Sequence, residues 1–273
     1  LLRFLLYPNV FAPAAEVHTK AEAESAVRTQ LRDILELICP DISPEDTANT
    51  LLARLPAVRK MLDTDVQAAY EGDPAATCRE EVMLAYPAFE AISVFRIAHE
   101  LYRLYIPMLP RMMTEYAHSV TGIDIHPGAE IGPYFFIDHG TGVVIGETTV
   151  IGDDCTLYQG VTLGGTGNET GKRHPTLGDN VTVGSGAKVL GNIQIGDNVK
   201  VGGNSVVVKD VPENCTVVGI PGRVVRRNGC RIVEETYNRD KHRENMPDPV
   251  EEQSRLNREG IRKNHQRIGD LEK

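Results

Sequence analysis

The fold is decided by residues 122–165, GIDIHPGAEIGPYFFIDHGTGVVIGETTVIGDDCTLYQGVTLGG, in which aliphatic residues recur at intervals of six. The interval resumes further along the chain. Its thirteen rungs are Ile125, Ile131, Ile137, Ile145, Ile151, Leu157, Leu163, Leu177, Val183, Val189, Ile195, Val201 and Val207. A period of six fits neither an amphipathic helix nor a hairpin strand, but it fits a solenoid in which each hexapeptide forms one side of a coil.

Three hexapeptides make a triangular coil of eighteen residues, with neighbouring coils about 4.8 Å apart by normal strand spacing. The pattern resembles the left-handed parallel β-helix of hexapeptide-repeat proteins. Glycines follow the rungs, and we expect positive φ angles at these corners; they are Gly132, Gly146, Gly152, Gly178, Gly184, Gly196 and Gly202. Small or branched residues four places after the rungs should share the interior. They are Ala129, Thr141, Thr149, Val161, Val181, Ala187, Val199 and Val211.

The sequence before this ladder predicts helices. Ser43 is a suitable N-cap before Pro44, Pro56 should interrupt or kink that helix, and Pro107 should end another that begins near Pro87. Composition changes to Gly, Val, Ile and Thr at Gly122. We therefore expect an α+β protein with an N-terminal α-helical domain over residues 1–120, a β-helix catalytic domain over 121–225 and a charged C-terminal tail over 226–273.

Composition limits the cellular context. The net charge of -9 argues against a generic nucleic-acid or anionic-membrane surface. Five cysteines without a CxxC motif indicate neither a disulfide framework nor a zinc knuckle, which favours the cytoplasm. No apolar run approaches the roughly 20 residues of a membrane-spanning helix. The apolar opening is interrupted by Arg3 and Pro8 before a signal-peptide core develops.

The ladder has two breaks, and insertions in a solenoid usually mark loops on a functional face. The first is the eight-residue step from Ile137 to Ile145, which contains Asp138 and His139. The second is the fourteen-residue step from Leu163 to Leu177, which carries GGTGNETGKRHP. If the solenoids trimerise, the clefts between them would hold these loops.

His139 is the candidate base. Asp124 lies fifteen residues earlier, close to one coil, so stacking is expected to bring its carboxylate to the imidazole. A carboxylate bonded to one ring nitrogen leaves the other nitrogen as a base near neutral pH. Spacing alone leaves open whether His139 is catalytic or a structural or surface histidine.

Longer motifs narrow the choice of family. DIHPGAEIG at 124–132, IDHGTGVVIGET at 137–148, IGDDCTLYQGVTLGGTG at 151–167 and GKRHP at 171–175 follow one another in this order. DPA precedes them at 73–75. Over about residues 73–224 the chain closely resembles the serine O-acetyltransferases.

The resemblance implies acetyl transfer from acetyl-CoA to the hydroxyl of L-serine, giving O-acetyl-L-serine and CoA in the first committed step of cysteine biosynthesis. It makes His139 the general base, paired with Asp124. The implied serine ligands are Asp73 and Asp138 for the ammonium group, with Arg173 and His174 from the adjacent subunit for the carboxylate.

The resemblance also implies a place for acetyl-CoA, along the cleft between solenoids. The matching positions are Gly165, Ser185, Lys200 and Gly203. The family usually has alanine where Ser185 and Gly203 stand, which affects side-chain packing rather than main-chain contacts. No metal is required, because the thioester is already activated. Cys155 and Cys215 occupy repeat or corner positions typical of core residues rather than of acyl-enzyme nucleophiles.

Three other functions keep the same fold. An acetyltransferase for a sugar or antibiotic hydroxyl would retain the histidine base without Asp73 and Arg173. A γ-class carbonic anhydrase needs three zinc-binding histidines; His126, His139 and His174 supply the number, but not the closely spaced pair. A non-catalytic scaffold would use its loops only to bind partners.

Partners follow from the same resemblance. A site completed by a neighbour implies a homotrimer, and pairing through the helical domain would give a dimer of trimers. L-Cysteine is implied as a feedback inhibitor at the serine site. Many relatives end in an isoleucine that inserts into O-acetylserine sulfhydrylase, whereas this chain ends Gly-Asp-Leu-Glu-Lys. That departure argues against the sulfhydrylase complex.

Overall fold

The computed structural model describes residues 1–12, 19–167 and 170–232. Residues Leu1–Ile232 form one compact unit, which begins with helices. The helices are α1 (Leu2–Leu6), α2 (Lys20–Ile38), α3 (Pro44–Gly72), α4 (Arg79–Ala85), α5 (Pro87–Arg103) and α6 (Leu109–Thr121). No helix in the described part of the chain is both long and apolar enough to cross a membrane.

Side-chain caps begin the two longest helices. The Thr19 hydroxyl accepts the Glu22 amide while the Glu22 carboxylate accepts the Thr19 amide, a capping box at the start of α2. Ser43 caps α3 by accepting the Asp46 amide at 3.3 Å. Pro56 does not interrupt this helix, since α3 continues through it to Gly72, and a kink at this residue stays a prediction.

Short strands follow. They are β1 (Asp124–Ile125), β2 (Glu130–Ile131), β3 (Phe136–Asp138), β4 (Val144–Ile145), β5 (Val150–Ile151), β6 (Thr156–Tyr158), β7 (Thr162–Gly164), β8 (Thr176–Leu177), β9 (Thr182–Val183), β10 (Lys188–Leu190), β11 (Gln194–Ile195), β12 (Lys200–Val201), β13 (Val206–Val207), β14 (Cys215–Val218), β15 (Arg223–Arg227) and β16 (Cys230–Arg231).

The strands form three sheets, one for each side of the coil. Sheet A has the order β1-β4-β7-β10-β13, sheet B β11-β8-β5-β2, and sheet C β16-β15-β14-β12-β9-β6-β3. Pairing is parallel from β1 to β14, and then β15 and β16 add antiparallel strands. The predicted succession of helices and parallel β-helix is confirmed. The boundaries at 120 and 225 stay predictions, and the tail beyond Ile232 lies outside the described residues.

The rungs fill the interior as predicted, with one correction among the smaller residues. Twelve rungs are buried, and Ile131 is half-buried against the core. Thr141 is exposed and Val143 is buried instead. The reason is the first break: Asp124 lies opposite Val144, twenty residues on, whereas Val144 lies opposite Thr162 after the regular eighteen. Two extra residues move Thr141 out to the corner.

The glycines that follow the rungs are required for a different reason from the predicted one. None of the seven has a positive φ. Instead, a Cβ at Gly196 would lie 2.5 Å from the Glu213 amide nitrogen, and one at Gly132 would lie 2.5 Å from the Asp153 carboxylate, both in the next coil. These glycines permit close approach of stacked backbones.

A buried ion pair joins the helices to the first coil. The Arg96 guanidinium of α5 donates to both carboxylate oxygens of Asp65 in α3, at 2.6 and 2.8 Å, and also to the carbonyls of Ile131 and Gly132. Asp65 accepts the Phe135 amide as well, at 3.0 Å. The pair therefore fixes α3 and α5 against the start of the solenoid.

Replacing Arg96 by methionine should lower the free energy of unfolding by about 3–5 kcal/mol, because it leaves the Asp65 carboxylate buried without its partner. Arg54→Met is the matched control: Arg54 bonds Glu100 at 2.7 Å between the same two helices, but its side chain is 33% exposed. That change should cost about 1 kcal/mol or less. Urea denaturation measures both, and equal costs would contradict the role given to Arg96.

Candidate active site

Two corners of the triangular coil carry the predicted site residues. The first edge, where sheet C turns into sheet A, contains Asp138–Gly142, Ser185–Gly186 and Gly203–Asn204. The second edge, where sheet A turns into sheet B, contains His126–Gly128, Gly146–Thr148 and the loop that leads through Arg173 and His174 to β8. Sheet A lies between the two edges.

His139 stands on a strained backbone at the first edge. Its φ is +58°, a left-handed conformation that is costly for a residue with a Cβ, and Gly140 follows at +86°. The side chain is 73% exposed, and its Nε2 lies 3.8 Å from Asp138 Oδ1. The turn thus presents an imidazole to solvent beside a carboxylate.

Asp73 joins this edge from the helical part of the chain. It caps the C-terminus of α3, which packs against β3. Its carboxylate accepts the Tyr86 hydroxyl at 2.5 Å and the Ala75 amide at 2.8 Å. The Tyr86 bond, then the Ala75 bond, lower the pKa of Asp73, and the nearby charge of His139 acts in the same direction. The same hydrogen bond raises the pKa of Tyr86 to about 12.

Asp124 lies elsewhere. Stacking sets it opposite Val144 in sheet A, and its carboxylate accepts from Arg111 at 2.9 Å. Among the described residues, no hydrogen bond or ion pair links it to His139. His139 lies at the corner between sheets C and A, and its pairing with Asp124 stays a prediction.

Charged groups gather at the second edge. Arg173 Nη2 donates to Glu147 Oε2 at 2.6 Å, and this bond is the main reason that the pKa of Glu147 is lowered. Burial lowers the pKa of His126, and the charges acting on that ring include those of Glu147, Asp124 and Arg173. The second edge thus places His126 among charges of both signs.

His174 is buried at this edge. Its ring lies over Gly146, where any Cβ would overlap it. Burial, followed by the charge of Arg173, lowers the pKa of His174. The Thr148 amide donates to its Nδ1 at 3.2 Å, so the neutral ring carries its proton on Nε2.

Known proteins are similar to this chain over most of its length. The family model for the bacterial transferase hexapeptide (six repeats) matches residues 174–209. A serine acetyltransferase of Synechococcus elongatus is 58% identical over 173 residues, which are 63% of this chain and 71% of that protein. The chain belongs to the serine acetyltransferase family.

Solved structures of family members share the fold. Serine acetyltransferase 1 of Entamoeba histolytica, in complex with L-cysteine, superposes with a TM-score of 0.74 at 42% identity, over 79% of this chain and 84% of that one. The enzyme of Brucella abortus, in complex with coenzyme A, gives 0.64 at 40% identity, over 76% and 83%.

The two departures from the family pattern lie against each other. Ser185 and Gly203 occupy the first edge in successive coils, and the Asn204 amide donates to the Ser185 carbonyl at 2.8 Å. A Cβ at Gly203 would lie 3.3 Å from the Ser185 hydroxyl and 3.2 Å from its carbonyl oxygen. Glycine at 203 thus leaves room for the larger side chain at 185.

The other two predicted coenzyme positions, Lys200 and Gly165, lie apart from each other. Lys200 is exposed on β12 in sheet C. Gly165 lies at the second edge, where a Cβ would be 3.4 Å from the Arg173 carbonyl oxygen. Gly165 thus lies at a different edge from Ser185 and Gly203, and Lys200 lies in sheet C.

The histidines of the zinc alternative do not form one group within a subunit, since His139 lies at the first edge and His126 and His174 at the second. Within the described ranges, the clustered His, Cys and carboxylate ligands are Glu115, His118 and Asp124. Arg111 contacts both carboxylates of this cluster, which makes it an ion-pair network.

Tyr86, Glu147 and Thr148 contact the site residues of this family member but were not predicted from the sequence. The last two end the motif IDHGTGVVIGET, so their position beside the second break was readable from the sequence. Tyr86 carried no such signal, because only the path from α3 to α5 brings its hydroxyl to Asp73.

Acid should destabilise this acetyltransferase through His126, whose pKa is lower folded than unfolded. The unfolded chain then binds more protons as pH falls below about 6.5, so stability decreases in that direction. His126→Asn retains an acceptor for the Gly128 amide but cannot titrate. Urea denaturation at pH 7.5 and 5.5 should show a smaller loss for the variant; equal losses would contradict this assignment.

Proposed function

We propose that this chain transfers the acetyl group of acetyl-CoA to the hydroxyl of L-serine, with His139 as the general base. The observation that carries the proposal is the meeting of Asp73, Asp138 and His139 at one exposed, strained turn. Removal of the hydroxyl proton by His139 makes the oxygen nucleophilic. The oxygen attacks the thioester carbonyl, the tetrahedral intermediate collapses, and the CoA thiolate leaves to yield O-acetyl-L-serine. No metal takes part in these steps.

Asp73 and Asp138 bind the serine ammonium group. Hydrogen bonds from Tyr86 and Ala75 keep Asp73 ionised, and an ionised carboxylate accepts the strong, charge-assisted bonds that an ammonium donates. With the ammonium group held there, the hydroxyl of the same small substrate falls within reach of His139.

Arg173 and His174 bind the serine carboxylate from a neighbouring subunit. Their edge is separated from His139 by sheet A, so one subunit alone does not supply both halves. If the first edge of each subunit meets the second edge of the next, the contact repeats around a ring and closes as a trimer. Asp124 then approaches His139 from the neighbour rather than from its own subunit.

Acetyl-CoA lies in the same inter-subunit cleft, against Ser185, Lys200 and Gly203 of one edge and Gly165 of the other. The coenzyme A complex of the Brucella abortus relative supports this co-substrate. The cysteine complex of the Entamoeba histolytica relative supports feedback inhibition by L-cysteine, which shares the ammonium and carboxylate groups of serine.

Pairing of trimers into a hexamer through the helices is part of this proposal. Cytoplasmic localisation and a lack of affinity for membranes and nucleic acid remain predictions. The tail, from which we predict that no sulfhydrylase complex forms, lies outside the described residues.

His139→Asn should lower kcat about 10²- to 10⁴-fold, because the asparagine cannot accept the hydroxyl proton. Thiol release from acetyl-CoA should be measured with serine and with a panel of sugar and other hydroxyl acceptors. Sedimentation of the variant provides the control, since its oligomer should be unchanged. Unaltered turnover would contradict the mechanism, and a sugar reacting where serine is inert would contradict the substrate.

Mixing two inactive variants tests whether subunits share the site. His139→Asn disables the first edge and Arg173→Ala the second, so each trimer that contains both chains should regain one of its three sites, about a third of wild-type sites. The two chains are co-expressed with different tags, and the doubly tagged oligomers are assayed. Oligomers that mix freely yet stay inactive would show that each site comes from a single subunit.

A further inference from the structure

One residue at the second edge, Thr148, is bonded to the whole Lys172–His174 segment. The Thr148 hydroxyl oxygen accepts the backbone amides of Arg173 at 3.0 Å and His174 at 3.2 Å. It also lies 2.9 Å from Nδ1 of His174. The Thr148 carbonyl accepts from Lys172 Nζ at 2.6 Å.

These bonds replace a strand ladder. Between β7 and β8 the chain leaves the regular coil, so its amides have no neighbouring strand to pair with at this point. Backbone amides that leave water need an acceptor, and Thr148 supplies one for two consecutive residues. The loop is thereby held at the two residues that face the proposed carboxylate of serine.

Thr148 also acts on the protonation of His174. A backbone N–H is always a donor, so the Thr148 amide requires Nδ1 to be an acceptor. Because the hydroxyl oxygen already accepts two amides, its own hydrogen is free to point to Nδ1 as well. Both bonds leave the proton on Nε2, where it can be donated to an anion.

We propose that Thr148 is a positioning residue of the serine site, which holds Arg173 and His174 in place and fixes His174 as an Nε2–H donor. The inference rests on the proposed function, in which these two residues bind the substrate carboxylate. Thr148 itself does not touch the reacting atoms.

The adjacent residue provides a matched control. Thr149 is 1% exposed, and within the described part of the chain its hydroxyl has no hydrogen-bond partner. Removing a buried hydroxyl that has no partner costs little and can stabilise a protein. Thr148→Val and Thr149→Val are therefore the same chemical change at neighbouring positions with opposite expectations.

Steady-state kinetics test the proposal. Thr148→Val should raise KM for serine about tenfold or more, because two amides lose their acceptor, while KM for acetyl-CoA should change less than about twofold. Thr148→Ser retains the hydroxyl and should stay close to wild type, as should Thr149→Val. An equal rise in both KM values, or a Thr149→Val enzyme as impaired as Thr148→Val, would overturn the inference. Thr148→Ala serves if the valine variant does not fold.

Two further measurements separate this inference from the function on which it rests. Arg173→Ala must itself raise KM for serine; if it does not, the proposed carboxylate site is wrong. If it does while Thr148→Val leaves KM unchanged, only the role of Thr148 is wrong. Nitrogen chemical shifts of ¹⁵N-labelled His174 should report Nε2–H at neutral pH, and a proton on Nδ1 would overturn the assignment of the tautomer.

Discussion

The hydrogen-bonding distance between stacked strands is the constraint from which the other features follow. Each side of a coil lies about 4.8 Å above the same side of the previous one. A rung such as Leu157 therefore lies directly over Val183, the corresponding rung of the next coil. Each side of a coil contributes one such aliphatic side chain to the interior. The same distance excludes even a methyl group at Gly196. The recurrent glycines follow from this spacing, whereas the six-residue period is the length of one side of the coil.

A stack under this constraint cannot absorb extra residues in its walls, so insertions are forced to the corners. Two additional residues after Ile137 move Thr141 to the surface, and His139 lies in the same break with a left-handed backbone. The longer insertion before Leu177 leaves amides without a ladder, and Thr148 accepts two of them. Chemistry is located at the breaks because side chains there are free of the repeat.

The helical segment is attached rigidly to the first coil of the solenoid, and this attachment sets the position of Asp73. The ion pair of Arg96 with Asp65 is bonded to carbonyls and an amide of the first coil, which sets the position of α3. α3 ends at Gly72, and Asp73 follows it next to the His139 turn. The contact of Asp65 with the first coil thus sets the position of Asp73, the proposed ligand of the serine ammonium group.

The sequence by itself determined the solenoid, its rungs, the preceding helices and the candidate residues His139, Arg173 and His174, because periodicity and insertions are local properties of the chain. It did not determine why glycine follows the rungs, where Thr141 lies or which residues accompany Asp124. These three features depend on contacts with the next coil or with a helix, which lie far away in the sequence. Only the tertiary structure decided that Asp73 and His139 share one edge while Glu147 and Arg173 share another. A spacing of fifteen residues specifies distance along the chain, whereas the corner at which each residue falls is set by how the coils stack.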